Sequence, residues 1–289
     1  MRVIYSPQYE LSLPGHVWPT AKYRLVAERL SGRAAFEFEE PVAATWDDLA
    51  LAHSDEYLEK LRVNTLTDAE IAALELPWTA GMADAFRLMV GGTCAAVRRA
   101  MTDGVAAHIG GGLHHAFAGH GEGFCPLNDI AVAIRKSGRR AAVIDCDVHH
   151  GNGTAMIFER DPAVFTFSIH QQHNYPLFKP RSTLDIGLED GAEDEQYLGA
   201  LAGALPTVLA HAPDLIVYVA GADPFVGDKL GGLALTKQGL AARDRLVIGA
   251  ARHAGIPVAV VLAGGYASDV RDVADIHVAT IEAAALQQA

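Results

Sequence analysis

Ala141-Ala142-Val143-Ile144-Asp145-Cys146-Asp147-Val148-His149-His150-Gly151-Asn152-Gly153 is an apolar run that ends in alternating polar residues and then breaks at glycine. Ahead of Asp145 the run has no polar residue and carries β-branched Val143 and Ile144, the composition of a strand buried on both faces of a parallel sheet. If the chain stays extended beyond it, residues two apart point the same way, so Asp145, Asp147 and His149 share one side. Open α/β sheets build their sites at the C-terminal mouths of such strands, and carboxylates with an imidazole are metal-ligand types. A plainer reading competes, in which Asp147 caps the next helix and His149 is a solvated loop histidine.

Outward from this run the chain alternates between strand and helix patterns. Strands are expected at Arg2–Tyr5, Ala35–Phe38, Gly104–Ile109, Ala141–Asp145, Val164–Ser168, Leu215–Ala220 and Val258–Ala263. Helices are expected from Pro19 to about Leu30, over Asp55–Leu61 behind an N-cap at Ser54, and over Ala80–Met101. Others follow at Ile130–Lys136 after Asn128 or Asp129, at Thr154–Glu159, at Glu193–Ala210, from Thr236 to about Ala254, and at Val273–Leu286. The pattern predicts one α/β domain over 1–289, an open, mostly parallel sheet with helices on both faces. Segments 110–125, 145–153, 168–176, 221–232 and 264–268 each follow a strand, so they should share one rim.

Composition narrows the function. Half of the 289 residues are hydrophobic, enough for a large core, and the net charge of −12 argues against phosphate-mediated binding of nucleic acid. The three cysteines, Cys94, Cys125 and Cys146, form no C-x-x-C pair, which fits a reducing compartment rather than a disulfide framework. The N-terminus shows no signal-peptide pattern and no apolar stretch reaches membrane-spanning length, so a cytoplasmic protein is expected.

Four of the rim loops carry reactive side chains. Asp223, in Gly221-Ala222-Asp223-Pro224, is a natural third ligand beside Asp147 and His149, and three ligands leave a position open for water, as catalytic zinc requires; its alternative is a turn cap before Pro224. His114-His115 can serve as general base and acid if carboxylates set their tautomers, with Asp145 the candidate partner; a surface pair is the alternative. Gly264-Gly265-Tyr266 lets the backbone approach a ligand and aims a phenol at a developing oxyanion, unless Tyr266 merely closes a loop.

Together these segments resemble one family. Gly111-Gly112-Leu113-His114-His115-Ala116, Gly123-Phe124-Cys125-Pro126-Leu127-Asn128-Asp129, Asp145-x-Asp147-Val148-His149-His150-Gly151-Asn152-Gly153-Thr154, Ser168-Ile169-His170, Ala220-Gly221-Ala222-Asp223 and Gly264-Gly265-Tyr266 occur in the order seen in zinc-dependent histone deacetylases and their bacterial relatives. The likeness covers nearly the whole chain, and its shortness with the Tyr5-Ser6-Pro7 start is most similar to the class IV branch. The resemblance implies the arginase/deacetylase fold and a zinc-dependent removal of an acyl group, acetyl or longer, from the ε-amine of lysine. It places zinc on Asp147, His149 and Asp223, proton transfer on His114 and His115, oxyanion donation on Tyr266, and the acyl-lysine tunnel at Gly123 and Phe124. It also implies potassium near zinc, through Asp145, Asp147, His149, Ser168 and Ile169, and a second monovalent site at Phe158, Asp161 and Val164.

The chain departs from the family in places. Asn152 stands where many members have Asp, and Ala263 where several classes have Gly or Glu. The acidic rim residue that grips substrate backbone has no clear match, although Asp84 lies in the right region. An acetylpolyamine hydrolase shares the chemistry and would need an acidic tunnel mouth, for which Glu122 is the candidate. A ureohydrolase would need more bridging Asp and His ligands than this chain has. A catalytically silent acyl-lysine-binding module is the rival from another class. A bacterial source is expected from the short chain without tails.

Overall fold

The structure, a computed structural model, describes residues 1–287. The chain runs β1 (Arg2–Ile4), α1 (Ala21–Leu30), β2 (Glu37–Glu39), α2 (Trp46–Leu49), α3 (Asp55–Val63), α4 (Asp68–Leu74), α5 (Met82–Asp103) and β3 (Val105–His108). It continues through α6 (Asp129–Ser137), β4 (Ala141–Asp145), α7 (Asn152–Phe158), β5 (Val164–Gln171), β6 (Leu184–Leu188) and α8 (Asp194–Ala210). It ends with β7 (Leu215–Val219), α9 (Lys237–His253), β8 (Val258–Val261) and α10 (Val270–Ala285).

The strands form one eight-stranded sheet in the order β2-β1-β3-β8-β7-β4-β5-β6, every neighbouring pair parallel. β3, β4, β5, β7 and β8 are buried at every residue, as their mostly apolar sequences require; β5 also buries Thr166, Ser168, His170 and Gln171. The edge strands are different: β2 is partly exposed and β6 alternates between half-buried and exposed residues. One set of helices, α5, α6 and α7, packs together, and α1, α10, α9 and α8 form the other, covering the two faces. No helix among the described residues is long and apolar enough to cross a membrane.

Local chemistry sets the helix ends. Ser54 Oγ accepts from Tyr57 N, as expected, and α3 stops at Asn64, whose φ of 56° is the left-handed C-terminal turn that Asn tolerates. Asn128 caps α6 through Ala131 N and also donates to Ala116 O and Thr154 Oγ1, tying the loop after β3 to α7. α7 starts at Gly151 with no side-chain cap, so the reading of Asp147 as its cap is set aside.

Register positions the site. Asp145 at the end of β4 lies opposite Ser168 of β5 and Val219 of β7, and Val219 lies opposite Val261 of β8. The strands therefore end level, and the loops after β3, β4, β7 and β8 emerge together on the C-terminal rim, where such sheets hold their sites.

Candidate active site

The chain bends over residues 147–149 rather than staying extended. The bend turns His149 back, so that Asp147 Oδ1 accepts from both His149 N and His149 Nδ1 at 3.0 Å. Asp147 Oδ2 accepts from Gly264 N at 2.8 Å, which brings the β8 loop against the β4 loop. Asp223, at the end of β7, accepts from Val148 N through Oδ1 and sets Oδ2 3.3 Å from His149 Nδ1. Asp223 Oδ2 is buried and has no hydrogen-bond partner. The ligand atoms of Asp147, His149 and Asp223 lie within 4.8 Å of one another. Donors bound to one zinc at its usual bond lengths stand roughly 3.3 Å apart. Burial and the neighbouring charge of Asp147 push the Asp223 carboxyl up to about 7, and Asp147 and Asp223 overcome burial to raise His149 to about 10, so the two carboxylates draw a positive charge to this point. Two carboxylates, one imidazole and an orphaned oxygen thus fit a divalent cation.

Asp145 does not join that group. Its Oδ1 accepts from Asp147 N and its Oδ2 meets His114 Nδ1 at 2.7 Å. His114 Nε2 faces His115 Nε2 at 3.1 Å, and His115 Nδ1 meets Asn152 Oδ1 at 2.7 Å. The two imidazoles are buried and held unlike each other. Burial works against the His114 cation, but the charges of Asp145 and Asp147 outweigh it and raise its pKa to about 9. Burial, then the charges of His114 and His149, hold His115 well below its ordinary value, so it is neutral.

Above the cluster lies a cavity of about 190 Å³ with Phe124, Tyr175, His115, His149, Tyr266 and Glu75 in its walls. Phe124 adopts a φ of 68°, a conformation rare for a bulky residue, and stacks on Trp18 with ring centroids 6.2 Å apart. Gly123 passes so close that a Cβ there would meet His115 Cδ2 and Tyr175 at 2.9 Å. Backbone bonds from Gly123 N to Ala73 O and Phe124 N to Leu74 O hang this wall on α4. Tyr266 is anchored by its backbone N on Asp228 Oδ2 at 2.6 Å, and its ring lies 6.5 Å from that of His149. Burial, with the charges of Asp147 and Asp223, holds the Tyr266 phenol well above its ordinary pKa, so it keeps its proton.

Several placements differ from expectation. Asp84 pairs with Arg87 on the exposed side of α5, whereas Glu75, in a left-handed turn at the end of α4, lines the tunnel wall. Glu122 is not at the mouth: its Oε2 accepts from Asn152 Nδ2 at 2.9 Å. Of the residues expected around potassium, Asp145 meets His114 Nδ1 and Asp147 N, Ser168 Oγ bonds His170 Nδ1, Ile169 lies in the buried core, and Asp161 Oδ1 accepts from Ala163 N in a local turn next to Phe158 and Val164. His150, His170 and Asp185 form a second cluster with ligand-like spacing. There His150 Nε2 already meets Asp185 Oδ1 at 3.1 Å, a clamp between the β4 loop and β6.

Lys22 gave no sign of itself in the sequence. It is fully buried on α1 and donates Nζ to Ala263 O at 2.7 Å, 5.6 Å from the Tyr266 ring. Burial lowers its pKa to about 8 against the pull of Asp223 and Asp147. A larger cavity, about 580 Å³, lies between α5, α6 and the segment 39–45 and is lined by none of these reactive groups.

The sequence model of the histone deacetylase domain family matches residues 16–281. An uncharacterized protein of Picosynechococcus is 41% identical, over 95% of this chain and 95% of its own. Histone deacetylase 2 of Arabidopsis thaliana is 32% identical over 94% of this chain and 76% of its own, and the acetoin utilization protein AcuC of Bacillus subtilis is 33% identical over 81% and 68%. The crystal structure of an HDA15 HD domain superposes with a TM-score of 0.80 at 24% identity, covering 100% of this chain and 93% of its own, which shows a shared fold.

Proposed function

The chain belongs to the histone deacetylase family, and from that premise we propose that it is a zinc-dependent amidohydrolase removing an acyl group, acetyl or longer, from the ε-amine of lysine in a protein or peptide. The observation that carries this reading is the His114–His115 pair, Nε2 to Nε2 at 3.1 Å, set beside the Asp147–His149–Asp223 cluster at the floor of a cavity walled by Phe124.

Asp147, His149 and Asp223 would hold the metal, which when bound lowers the pKa of water and polarises the acyl carbonyl. His115, kept neutral, takes a proton from the attacking water at Nε2. The proton taken from water passes from His115 Nε2 to the departing amine, and the cationic charge of His114, held by Asp145 with Nε2 3.1 Å away, favours that release. Tyr266, its phenol protonated, donates a hydrogen bond to the oxyanion that develops on the acyl oxygen. Phe124 and Tyr175 give the lysine methylenes apolar walls. The free cysteines support work in the reducing cytoplasm.

A second reading, an amidohydrolase of acylated polyamines, is favoured by one observation: Glu75, exposed at the end of α4, is among the residues lining the cavity and offers a carboxylate to a distal ammonium. A panel of acetyl-lysine and longer acyl-lysine peptides and acetylpolyamines, assayed with and without a chelator, tests both. Turnover of acyl-lysine peptides that stops with chelator and returns with zinc is expected. Turnover confined to acetylpolyamines and lost in Glu75→Ala would install the second reading, and no turnover of any member would overturn both.

A further inference from the structure

His115 is oriented by an amide, and an amide has two faces. Its Nδ1 lies 2.7 Å from Asn152 Oδ1, whereas His114 rests directly on the Asp145 carboxylate. A carboxylate can only accept a hydrogen bond, so the histidine nitrogen facing it must carry the proton. An asparagine could present either its oxygen or its NH2, and the NH2 would leave the lone pair on Nδ1 and the hydrogen on Nε2. His115 would then have no lone pair at Nε2, and its N–H there would require His114 Nε2, 3.1 Å away, to lose its own proton and become the acceptor.

The third group resolves this ambiguity. Asn152 Nδ2 lies 2.9 Å from Glu122 Oε2. Because that carboxylate can only accept, it fixes the NH2 of Asn152 on its own side and the carbonyl oxygen on the His115 side. Glu122 is itself held in place: Cys125 N donates to its backbone oxygen at 2.8 Å, His120 Nε2 reaches Oε1 at 3.1 Å, and the Tyr175 hydroxyl lies 3.5 Å from Oε2. Asn152 is buried at 1% exposure, so bulk solvent does not reach its amide.

We propose that Glu122 is a positioning residue which, through Asn152, keeps the Nε2 lone pair of His115 facing the reaction. This rests on the reading of His115 as the proton acceptor. Glu122, Asn152 and His115 form a relay in which charge and contact are divided between two side chains, where His114 has both in Asp145.

The test uses the zinc-loaded protein and an acetyl-lysine peptide. Glu122→Ala is expected to lower kcat roughly 10- to 100-fold with KM within about twofold, the usual scale for a residue that orients a ligand or base. Glu122→Gln keeps an acceptor oxygen and should recover most of the rate. Asn152→Asp added to Glu122→Ala should restore the rate, because a carboxylate offers His115 Nδ1 an acceptor whichever way it turns; a general packing defect would not be repaired this way. If Glu122→Ala does not fold, Glu122→Met, of similar volume and without an acceptor, carries the same expectation. Parent kcat in either variant, or a double variant as slow as Glu122→Ala alone, overturns the proposal. Imidazole ¹⁵N NMR separates this from failure of the functional reading. The parent should show His115 protonated at Nδ1 beside a His114 protonated at both nitrogens, and Glu122→Ala should show His115 protonated at Nε2 with His114 neutral, whether or not the protein hydrolyses an amide. The same tautomer in both, or Nε2 protonation in the parent, sinks it.

Discussion

His114 and His115 meet Nε2 to Nε2 at 3.1 Å, yet one leans on a carboxylate and the other on an amide. Neighbours in sequence and in space, they are pushed in opposite directions, one toward a cation and one toward a neutral base. Pairs of titratable groups whose surroundings drive them apart are how acid and base duties are divided.

His115→Ala should therefore lower kcat by about 10²- to 10⁴-fold, the usual contribution of a positioned proton acceptor. Binding of an acyl-lysine peptide, measured by fluorescence anisotropy, should change little. A variant that turns over as fast as the parent would remove His115 from the chemistry.

Tyr266→Phe deletes one hydroxyl and leaves the ring on its Asp228 anchor. Loss of a donor to a developing oxyanion costs about 10²- to 10³-fold in kcat. KM should stay close to that of the parent, and steady-state kinetics decide it. A change confined to KM would mean that the phenol only binds substrate.

Gly264→Ala puts a methyl into the carboxylates. A Cβ at that position would overlap Asp223 Oδ2 and Asp147 Oδ2, the atoms that border the candidate metal position. Zinc per chain, measured by plasma mass spectrometry after dialysis, should fall from stoichiometric to a small fraction. A fully loaded variant would mean that the metal sits elsewhere.

Acid stability offers a test away from the site. His53 accepts from Asn128 N at Nε2 and faces Phe117 O through Nδ1, so the fold needs it neutral. Burial lowers its pKa to about 4, whereas the unfolded chain takes the proton near 6.5. Between those values the unfolded state binds more protons, so stability is lost as pH falls through the window. From pH 7.5 to pH 5 the parent should lose about 2 kcal/mol more than His53→Gln, which cannot titrate. Urea midpoints at the two pH values measure this, and equal losses would refute the buried neutral state.

The sheet was legible wherever a strand is buried on both faces, because β4, β7 and β8 read as unbroken apolar runs. β6 was not, since Asp185 and Gly187 interrupt a strand with one wet side. α4 is only seven residues long; its signal, Thr67 with Glu70 in a capping box, was present but weak. Asp147, His149 and Asp223 could be anticipated because each follows a strand of the same rim. Lys22 could not, because a lysine on a helix normally reaches solvent and nothing local says that α1 lies over Ala263. Glu122, the candidate for an acidic mouth, turns to Asn152, and Glu75, for which the sequence suggested no role, lines the cavity. Which loop carboxylate turns inward depends on backbone contacts with α4 and Cys125 that the sequence does not display.

One consequence follows from the way Phe124 is hung. The tunnel wall is bonded to the last turn of α4, a short helix that faces water and is held at its start by Thr67 and Glu70. Selection could widen or tighten the entrance by weakening or strengthening that distant cap. Tolerance for bulky acyl donors would then drift through residues that no substrate ever meets, with the reacting machinery left unaltered.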